Sequence, residues 1–329
     1  MPTRRVGRSI GRRKNMRTRF LKGCFGGFLL VICAASPLRV ARAADESCDR
    51  ACLEGMIDQY LAAMTAHDPS RLPLAKDIKF TEDGVQLQLG DALWATAGSL
   101  GTYKLVFAEP ESGSVAAYAV VQENGSGALL MVRLKVVKRR ITEIETLVAR
   151  KPTTSILNTD NLTEPHPIFL ETVPEGDRPS RQEMVSTVGK YFDGIEQGNG
   201  DIVPFDAECV RIENGIQTCP GSASSPLGAL SCGAQLSTKI FTYIQSVNPR
   251  RFPIVDRERG LVLAIVRFNH PGTQQTVEVP GRGRMTMGRY SQWPNSTQIA
   301  ELFKIKDRKI REITAVIVTA AYKAPMGWE

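Results

Sequence analysis

The segments "RRITEIETLVA" at residues 139–149 and "RKIREITAVIV" at residues 308–318 are two versions of one apolar stretch in a single chain. Each begins with basic residues, alternates Ile with polar residues and ends in small and β-branched residues. This alternation predicts a half-buried β-strand. Its recurrence indicates an internal duplication in which one such strand closes each copy.

The duplication extends backwards from these two strands over most of the chain. The matched pairs are 56–68 with 184–199, 77–84 with 208–215, 112–125 with 259–272, and 139–149 with 308–318. Matched positions lie 131 apart at Tyr60 and Tyr191, 147 apart in the third pair and 169 apart in the fourth. The growing offset predicts insertions of 16 and 22 residues in the second copy, around residues 218–232 and 276–295.

Each copy has the pattern of a long amphipathic helix, a short strand, a second helical stretch and three longer strands. This order predicts an α+β fold, with a curved antiparallel sheet wrapped on one side by helices. We expect a first half at residues 44–153 and a second half at residues 177–329. The Pro-rich segment 154–176 between them is expected to be a linker on the outside.

Residues 1–43 have the composition of a signal peptide. They carry eleven Arg and Lys and no acidic residue, then an apolar run, then Ala41-Arg42-Ala43 as a cleavage site. Cleavage after Ala43 leaves 31 basic against 34 acidic residues, a net charge of about −3. We therefore expect a secreted or periplasmic protein that binds neither nucleic acid nor, after cleavage, a membrane. An uncleaved membrane anchor is the alternative, although the apolar run is short for a bilayer.

Five cysteines remain after the predicted cleavage, and export permits disulfides between them. Cys232 is expected to bridge back to Cys209 or Cys219, which would anchor the first insertion. Cys48 and Cys52 either bridge or remain two thiols. An odd number leaves at least one cysteine unpaired within the chain.

The helix, the "FTEDG" strand at residues 80–84 and the closing "ITEI" and "IREI" strands resemble the SnoaL-like branch of the nuclear transport factor two-like superfamily. Phrases such as "YFDGIEQG", "CVRIENG" and "RFPIVDRERG" also resemble a family of secreted tandem proteins without assigned function. The resemblance covers residues 46–322 and implies two tandem cone-shaped half barrels of the cystatin-like kind, each with a helix-capped pocket. It further implies that the halves pack as an internal pseudo-dimer, in place of the homodimer common in the superfamily. A homo-oligomer is also possible.

Strand alternation suggests that the pocket of the second half has acquired polar chemistry. In the first half Phe80 and Glu82 share the face that we expect to point inward. The matching residues of the second half are Arg211 and Glu213. A buried Arg beside a carboxylate is costly unless the pair is functional or fully hydrogen-bonded, and a structural ion pair is the alternative.

His270 and Tyr191 complete the candidate site. His270 ends an apolar strand and replaces Glu123 of the first half. Tyr191 lies on the first helix, as does the Tyr of the ketosteroid isomerases that share the resembled fold, where it acts with a strand carboxylate. Glu213 is the matching carboxylate, but the sequence offers no clear counterpart of the second, protonated acid. Structural roles for His270 and Tyr191 are the alternative, and Tyr60 at the matching position favours packing for Tyr191.

Known members of the resembled superfamily include isomerases, dehydratases, lyases and binding modules, so the fold does not settle the function. We expect a cofactor-independent enzyme that moves protons on a small, largely apolar substrate, with Glu213 as proton shuttle, Arg211 as charge partner and His270 and Tyr191 as donors. No metal spacing, phosphate loop or dinucleotide fingerprint occurs, so no cofactor or metal is expected. A non-catalytic ligand-binding protein and a structural dimerisation module are the alternatives.

Overall fold

Two six-stranded mixed sheets form the framework of the fold in a computed structural model, which describes residues 47–151, 154, 156–222, 227–280, 282–288 and 292–329. The predicted signal peptide lies outside these residues. The described part has an α+β architecture, as the sequence predicts, with long helices preceding the strands of each sheet.

The first sheet has the strand order β2-β1-β6-β5-β4-β3. Its strands are β1 (Leu74–Glu82), β2 (Val85–Gln86), β3 (Ala97–Glu109), β4 (Ser114–Glu123), β5 (Ser126–Val137) and β6 (Arg140–Ala149). The strands β1 and β6 run parallel, with Phe80 opposite Ile144, and the other neighbours are antiparallel.

The second sheet has the strand order β8-β7-β14-β13-β10-β9, which is the same topology. Its strands are β7 (Phe205–Glu213), β8 (Ile216–Cys219), β9 (Ser246–Asp256), β10 (Leu261–His270), β13 (Asn295–Lys306) and β14 (Lys309–Ala320). The strands β7 and β14 again run parallel. The repeated order, together with the repeated parallel pair, confirms the internal duplication.

The two long helices begin and end at residues suited to capping. Helix α1 (Arg50–Thr65) starts where the side chain of Asp49 accepts a hydrogen bond from the amide of Cys52. Helix α3 (Arg181–Gln197) starts with a capping box made by Ser180 and Glu183, and it ends at Gly198 in the left-handed conformation. These caps place both helix starts earlier than the periodicity alone predicts.

The expected second helical stretch is short in both halves, and the sequence underestimates the number of strands. Helix α2 (Leu93–Thr96) has four residues and α4 (Cys232–Ser237) has six. Four longer strands follow in each described half instead of three, because β3 and β9 also pair along one edge of their sheets. The insertions lie where the offsets predict them: one leads into α4, and the other contains the hairpin β11 (Thr276–Val279) and β12 (Gly283–Thr286).

Each sheet buries both faces. One face packs against the long helix of its own half, where Tyr60 and Phe80 lie in the first apolar core and Tyr191 lies in the second. The other faces of the two sheets share a third apolar core. The hydroxyl of Tyr118 donates across this core to the carbonyl of Ala300 at 2.8 Å. The helix-covered faces are therefore the interiors in which a site was expected.

Candidate functional site

A hydrogen bond between Tyr191 and Glu301 connects helix α3 to strand β13 in the interior of the second half. The hydroxyl of Tyr191 donates to Oε1 of Glu301 at 3.2 Å, and both residues are 2% exposed. The aromatic ring of Tyr191 packs edge-on against Phe303 with 5.2 Å between the ring centres. A phenol and a carboxyl group thus lie together in apolar surroundings.

Arg211 and Glu213 lie beside this pair on strand β7. Nε of Arg211 is 3.4 Å from Oε1 of Glu213, and Arg211 is 3% exposed whereas the side chain of Glu213 is 21% exposed. The guanidinium also donates to Thr218 at 3.1 Å and to the side chain of Gln235 on α4 at 2.9 Å. We call Tyr191, Arg211, Glu213 and Glu301 the Tyr191 cluster, and Glu213 is the member with a partly exposed side chain.

The surroundings of Glu301 favour its protonated form. Burial raises the pKa of Glu301 to about 8, and the negative charge of Glu213 acts in the same direction. Arg211 and the hydrogen bond from Tyr191 lower this pKa but do not offset burial. Oε2 of Glu301 is buried and has no hydrogen-bond partner among the described residues.

The charges of the other members follow from the same surroundings. Burial raises the pKa of Tyr191 well above its ordinary value, so its hydroxyl stays a donor. Burial acts against the charge of Arg211, but Glu213, Tyr191 and two nearby cysteines together outweigh it, and the Arg211 pKa is raised. The cluster thus combines two neutral donors, one cation and one partly exposed carboxylate.

The first half lacks this combination, although its backbone is the same. In the first half Ala117 of β4 pairs with Val132 of β5. In the second half the corresponding pair is Ala264 of β10 and Glu301 of β13. Val132 therefore occupies the position of Glu301. Phe80 likewise occupies the position of Arg211, so the buried cation and the buried acid of the second half have both replaced apolar residues.

Tyr60 and Glu82, the counterparts of Tyr191 and Glu213, have other partners. The hydroxyl of Tyr60 accepts a hydrogen bond from the indole of Trp94 at 3.0 Å. Glu82 accepts from the amide of Leu93 at 3.1 Å and from Arg150 at 2.8 Å. These contacts are those of a structural core, in which each polar group is satisfied locally.

His270 lies at the end of strand β10, apart from the Tyr191 cluster. It pairs with Asn295, whereas Ala264, six residues earlier on the same strand, pairs with Glu301. Six residues of strand span about 20 Å. Nδ1 of His270 contacts Oδ1 of Asn295 at 3.0 Å, its ring packs on Tyr243, and burial lowers its pKa. The structure thus brings together Tyr191, Arg211 and Glu213 of the expected site and leaves out His270.

Glu301 is the cluster member that the sequence analysis missed. The offset of 169 residues between the closing strands also applies to β5 and β13, and it sets Val132 against Glu301. The signal that could have identified Glu301 is an acid in the second half at an interior position where the first half has an apolar residue. It is the same signal that identified Arg211 opposite Phe80.

The expected bridge from Cys232 to Cys209 or Cys219 is absent in the structure, and this prediction is wrong. All three are buried thiols. The sulfur of Cys232 donates to the carbonyl of Cys209 at 3.3 Å, and that of Cys219 donates to the carbonyl of Leu230 at 3.7 Å. Each of these two thiols is thus satisfied by the backbone. A disulfide does join Cys48 and Cys52.

In the part of the chain that the structure describes, no helix combines the length and hydropathy needed to cross a bilayer. Among the same residues no group of three His, Cys, Asp or Glu side chains is arranged to hold a metal ion.

A family model described as "Domain of unknown function (DUF8021)" matches residues 177–317, which lie within the second half. No curated protein has a significant match to the chain.

Two solved structures are similar to parts of the chain. One is an NTF2-like protein of unknown function from Cytophaga hutchinsonii, at 11% identity over 30% of this chain and 92% of that chain, with a TM-score of 0.26. The other is PrhC from Penicillium brasilianum, at 13% identity over 42% of this chain and 81% of that chain, with a TM-score of 0.25. Neither TM-score reaches 0.5, so the description of the fold rests on the sheet order and the helices given above.

Proposed function

We propose that the second half is a cofactor-independent proton-transfer enzyme, an isomerase, dehydratase or lyase, that acts on a small and largely apolar substrate. The observation that supports this proposal is the Tyr191–Glu301 pair, two neutral donors side by side, next to the carboxylate of Glu213. Reactions that remove a proton next to a carbonyl develop an oxyanion and need both kinds of group.

In this proposal Glu301 donates its proton to the oxyanion, and Tyr191, whose one hydroxyl proton goes to Oε1, holds Glu301 in place. The proton on Glu301 lies in a buried setting, where hydrogen bonds to developing charge are stronger than in water. Oε2 of Glu301 is available because no described residue bonds to it. Substrate carbonyl oxygen would take the place of that missing partner.

Glu213 moves the proton. It is the acidic member of the cluster with solvent access, and Oε1 of Glu213 lies 3.4 Å from Nε of Arg211. Arg211 itself cannot act as a base because guanidinium does not lose its proton in proteins. Its contacts to Thr218 and Gln235 fix its position, and through it the position of Glu213.

The probe 2-naphthol tests the donor pair without knowledge of the substrate, because its fluorescence distinguishes the phenol from its oxyanion. We expect saturable binding that lowers the apparent pKa of the bound naphthol. Tyr191→Phe should weaken binding about tenfold, because it removes the buried hydrogen bond that holds Glu301 in place. Tyr60→Phe, the matched change in the first half, should leave it unaltered. Absence of saturable binding, or equal losses in the two variants, would contradict the proposal.

A second candidate is a protein that binds a small apolar ligand without turnover. Arg211 favours it, because its donors already have partners in Thr218 and Gln235 from the segment around α4. An Arg held in place by such hydrogen bonds also suits a rigid binding pocket. Exchange of a ligand proton with solvent separates the two candidates, since only the enzyme accelerates it.

We further propose that the protein is exported and that its two halves replace the subunits of a homodimer. The Cys48–Cys52 disulfide supports an oxidising compartment. The apolar core shared by the two sheets supports pairing within one chain. N-terminal sequencing should give Ala44 as the first residue, and light scattering should give a monomer. A Met1 terminus would contradict export. A dimeric mass would contradict the replacement of a homodimer by the two halves.

A further inference from the structure

Residues 321–329, which follow strand β14, reach from the second half to the first half, and we call them the strap. Met326 of the strap is 2% exposed and belongs to the apolar core that the two sheets share. The indole of Trp328 donates a hydrogen bond to Oγ1 of Thr81 on strand β1 at 2.8 Å. The strap thus places an aromatic side chain in a cleft at the border of the halves, which we call the Trp328 cleft.

Three cations surround the ring of Trp328. Nζ of Lys79 lies 4.1 Å from the centre of the ring. The guanidinium carbon of Arg133 lies 4.8 Å from the ring, and that of Arg251 lies 5.7 Å from it. A cation within about 6 Å of an aromatic ring is attracted by the negative face of the ring. The Trp328 cleft therefore holds the indole by its ring and by its N–H.

The walls of the cleft are polar where the second half has apolar residues. At the offsets of 131 and 169 residues, three wall residues and their counterparts are Lys79 and Val210, Thr81 and Ile212, and Arg133 and Leu302. Arg133 is 3% exposed, and a buried guanidinium is costly compared with an apolar side chain at the same place. The first half has thus acquired polar groups on its outer face, just as the second half has acquired Glu301 on its inner face.

The charges of the walls leave an excess of one positive charge. Arg133 donates to Glu145 at 2.7 Å and to Glu143 at 2.9 Å, and Arg251 donates to the other oxygen of Glu145 at 2.7 Å. These contacts fix both guanidinium groups. Together with Lys79 the five side chains carry three positive and two negative charges. A ligand with one negative charge would complement them.

The strap itself shows which chemistry the cleft accepts. A planar ring lies among the cations, and its N–H reaches Thr81. The residue after the ring, Glu329, brings a carboxylate to 3.6 Å from Arg267. A free aromatic carboxylate has the same two features, a planar ring and a negative charge, in one molecule.

We propose that the Trp328 cleft is a binding site for planar aromatic carboxylates, which the strap occupies as a built-in competitor. The ligand ring takes the place of the indole, and its carboxylate lies toward the excess positive charge. The strap is suited to exchange because Trp328 is only half-buried, and Lys323, Pro325 and Glu329 are exposed. The site is formed mainly by the first half and does not depend on the activity proposed for the Tyr191 cluster.

Indole-3-acetate is the probe, because it combines the ring of Trp328 with one carboxylate. It is titrated into purified Trp328→Ala at constant ionic strength, and calorimetry measures the affinity. We expect saturable binding that is about tenfold or more tighter than in the wild type, where the strap competes. Trp293→Ala is the matched control, since Trp293 is 50% exposed elsewhere in the second half. This variant should bind the probe as the wild type does.

The hydrogen bond to Thr81 gives a second test in the Trp328→Ala background. Thr81→Val keeps the shape of the side chain and removes the acceptor, so it should weaken binding of indole-3-acetate about fivefold to tenfold. Methylation of the probe at the ring nitrogen should cause a similar loss when Thr81 is present. The two losses should not add, because both remove the same contact.

Three results would overturn the proposal: no saturable binding in Trp328→Ala, equal affinities in Trp328→Ala and Trp293→Ala, or an affinity that Thr81→Val leaves unchanged. Circular dichroism establishes that the variants fold. If Trp328→Ala does not fold, NMR follows the indole N–H signals of the three Trp residues in the wild type. The signal of Trp328 should shift on addition of indole-3-acetate while that of the buried Trp94 does not, and an unshifted Trp328 signal would overturn the proposal.

Discussion

The hydroxyl of Tyr191 lies 3.2 Å from Oε1 of Glu301, and this contact is present in one half of a duplicated fold only. Its counterpart in the first half would join Tyr60 to Val132, which has no polar atom to offer. The second half has therefore gained a buried acid at a position where an apolar residue also folds. Such an exchange is expected to lower stability, which makes it informative about function.

Replacing Glu301 by the residue of the first half should stabilise the protein. We expect Glu301→Val to raise the free energy of unfolding by about 1 kcal/mol or more, because it removes a buried oxygen that has no partner. Urea unfolding at pH 7 measures the change. The same substitution should abolish the lowering of the apparent pKa of bound 2-naphthol.

A matched control is available on strand β6. Glu145 is also buried, but it is paired with Arg133 at 2.7 Å and with Arg251 at 2.7 Å. Glu145→Val should lower the free energy of unfolding by about 3 kcal/mol, since it leaves buried cations without a partner. A loss of similar size in Glu301→Val would show that Glu301 is a structural residue.

The dependence of stability on pH should carry the signature of Glu301. Its pKa in the folded protein, about 8, lies above its value of 4.5 in the unfolded chain. The folded state therefore holds more protons between these values, and this group makes stability fall as pH rises from about 5 to 8. Unfolding measured over this range should show a steeper fall for the wild type than for Glu301→Gln. Parallel curves would contradict a raised pKa at Glu301.

Sequence comparison of the two halves identified the fold, the interior faces and three members of the Tyr191 cluster. It succeeded because a strand has a period of two residues, so Arg211 and Glu213 share a face with Cys209 whatever the details of packing. The same two-residue period led to a wrong placement of His270 in the site. It gives the face on which a side chain lies, but not its distance along the strand from Glu301.

The cysteines show a second limit of the sequence. Cys209, Cys219 and Cys232 are close in the fold, as expected, yet a disulfide also requires a particular geometry at both sulfur atoms. Cys219 donates to the carbonyl of Leu230 and Cys232 donates to that of Cys209, and both contacts depend on the path of the insertion that carries the two thiols, which residue types alone do not determine.

The three thiols should resist modification in the native protein. Hydrogen bonds and burial raise the pKa of Cys219 and of Cys232, so little reactive thiolate forms. We expect iodoacetamide to leave Cys209, Cys219 and Cys232 unlabelled in the native protein and to label all three in urea without reductant. Peptide mass spectrometry reads out each site. A disulfide-linked pair of these peptides would contradict the structure.

The central claim is that Glu213 transfers protons in the second half, and exchange with solvent tests it most directly. A β,γ-unsaturated cyclic ketone is incubated with the protein in D₂O, and NMR follows the entry of deuterium next to the carbonyl. The wild type should accelerate exchange above buffer, Glu213→Gln should reduce that acceleration about 100-fold to 10,000-fold, and Glu82→Gln, its counterpart in the first half, should retain it. Equal exchange rates in the two variants would show that the chemistry is not located at Glu213, and the binding protein would then be the better account.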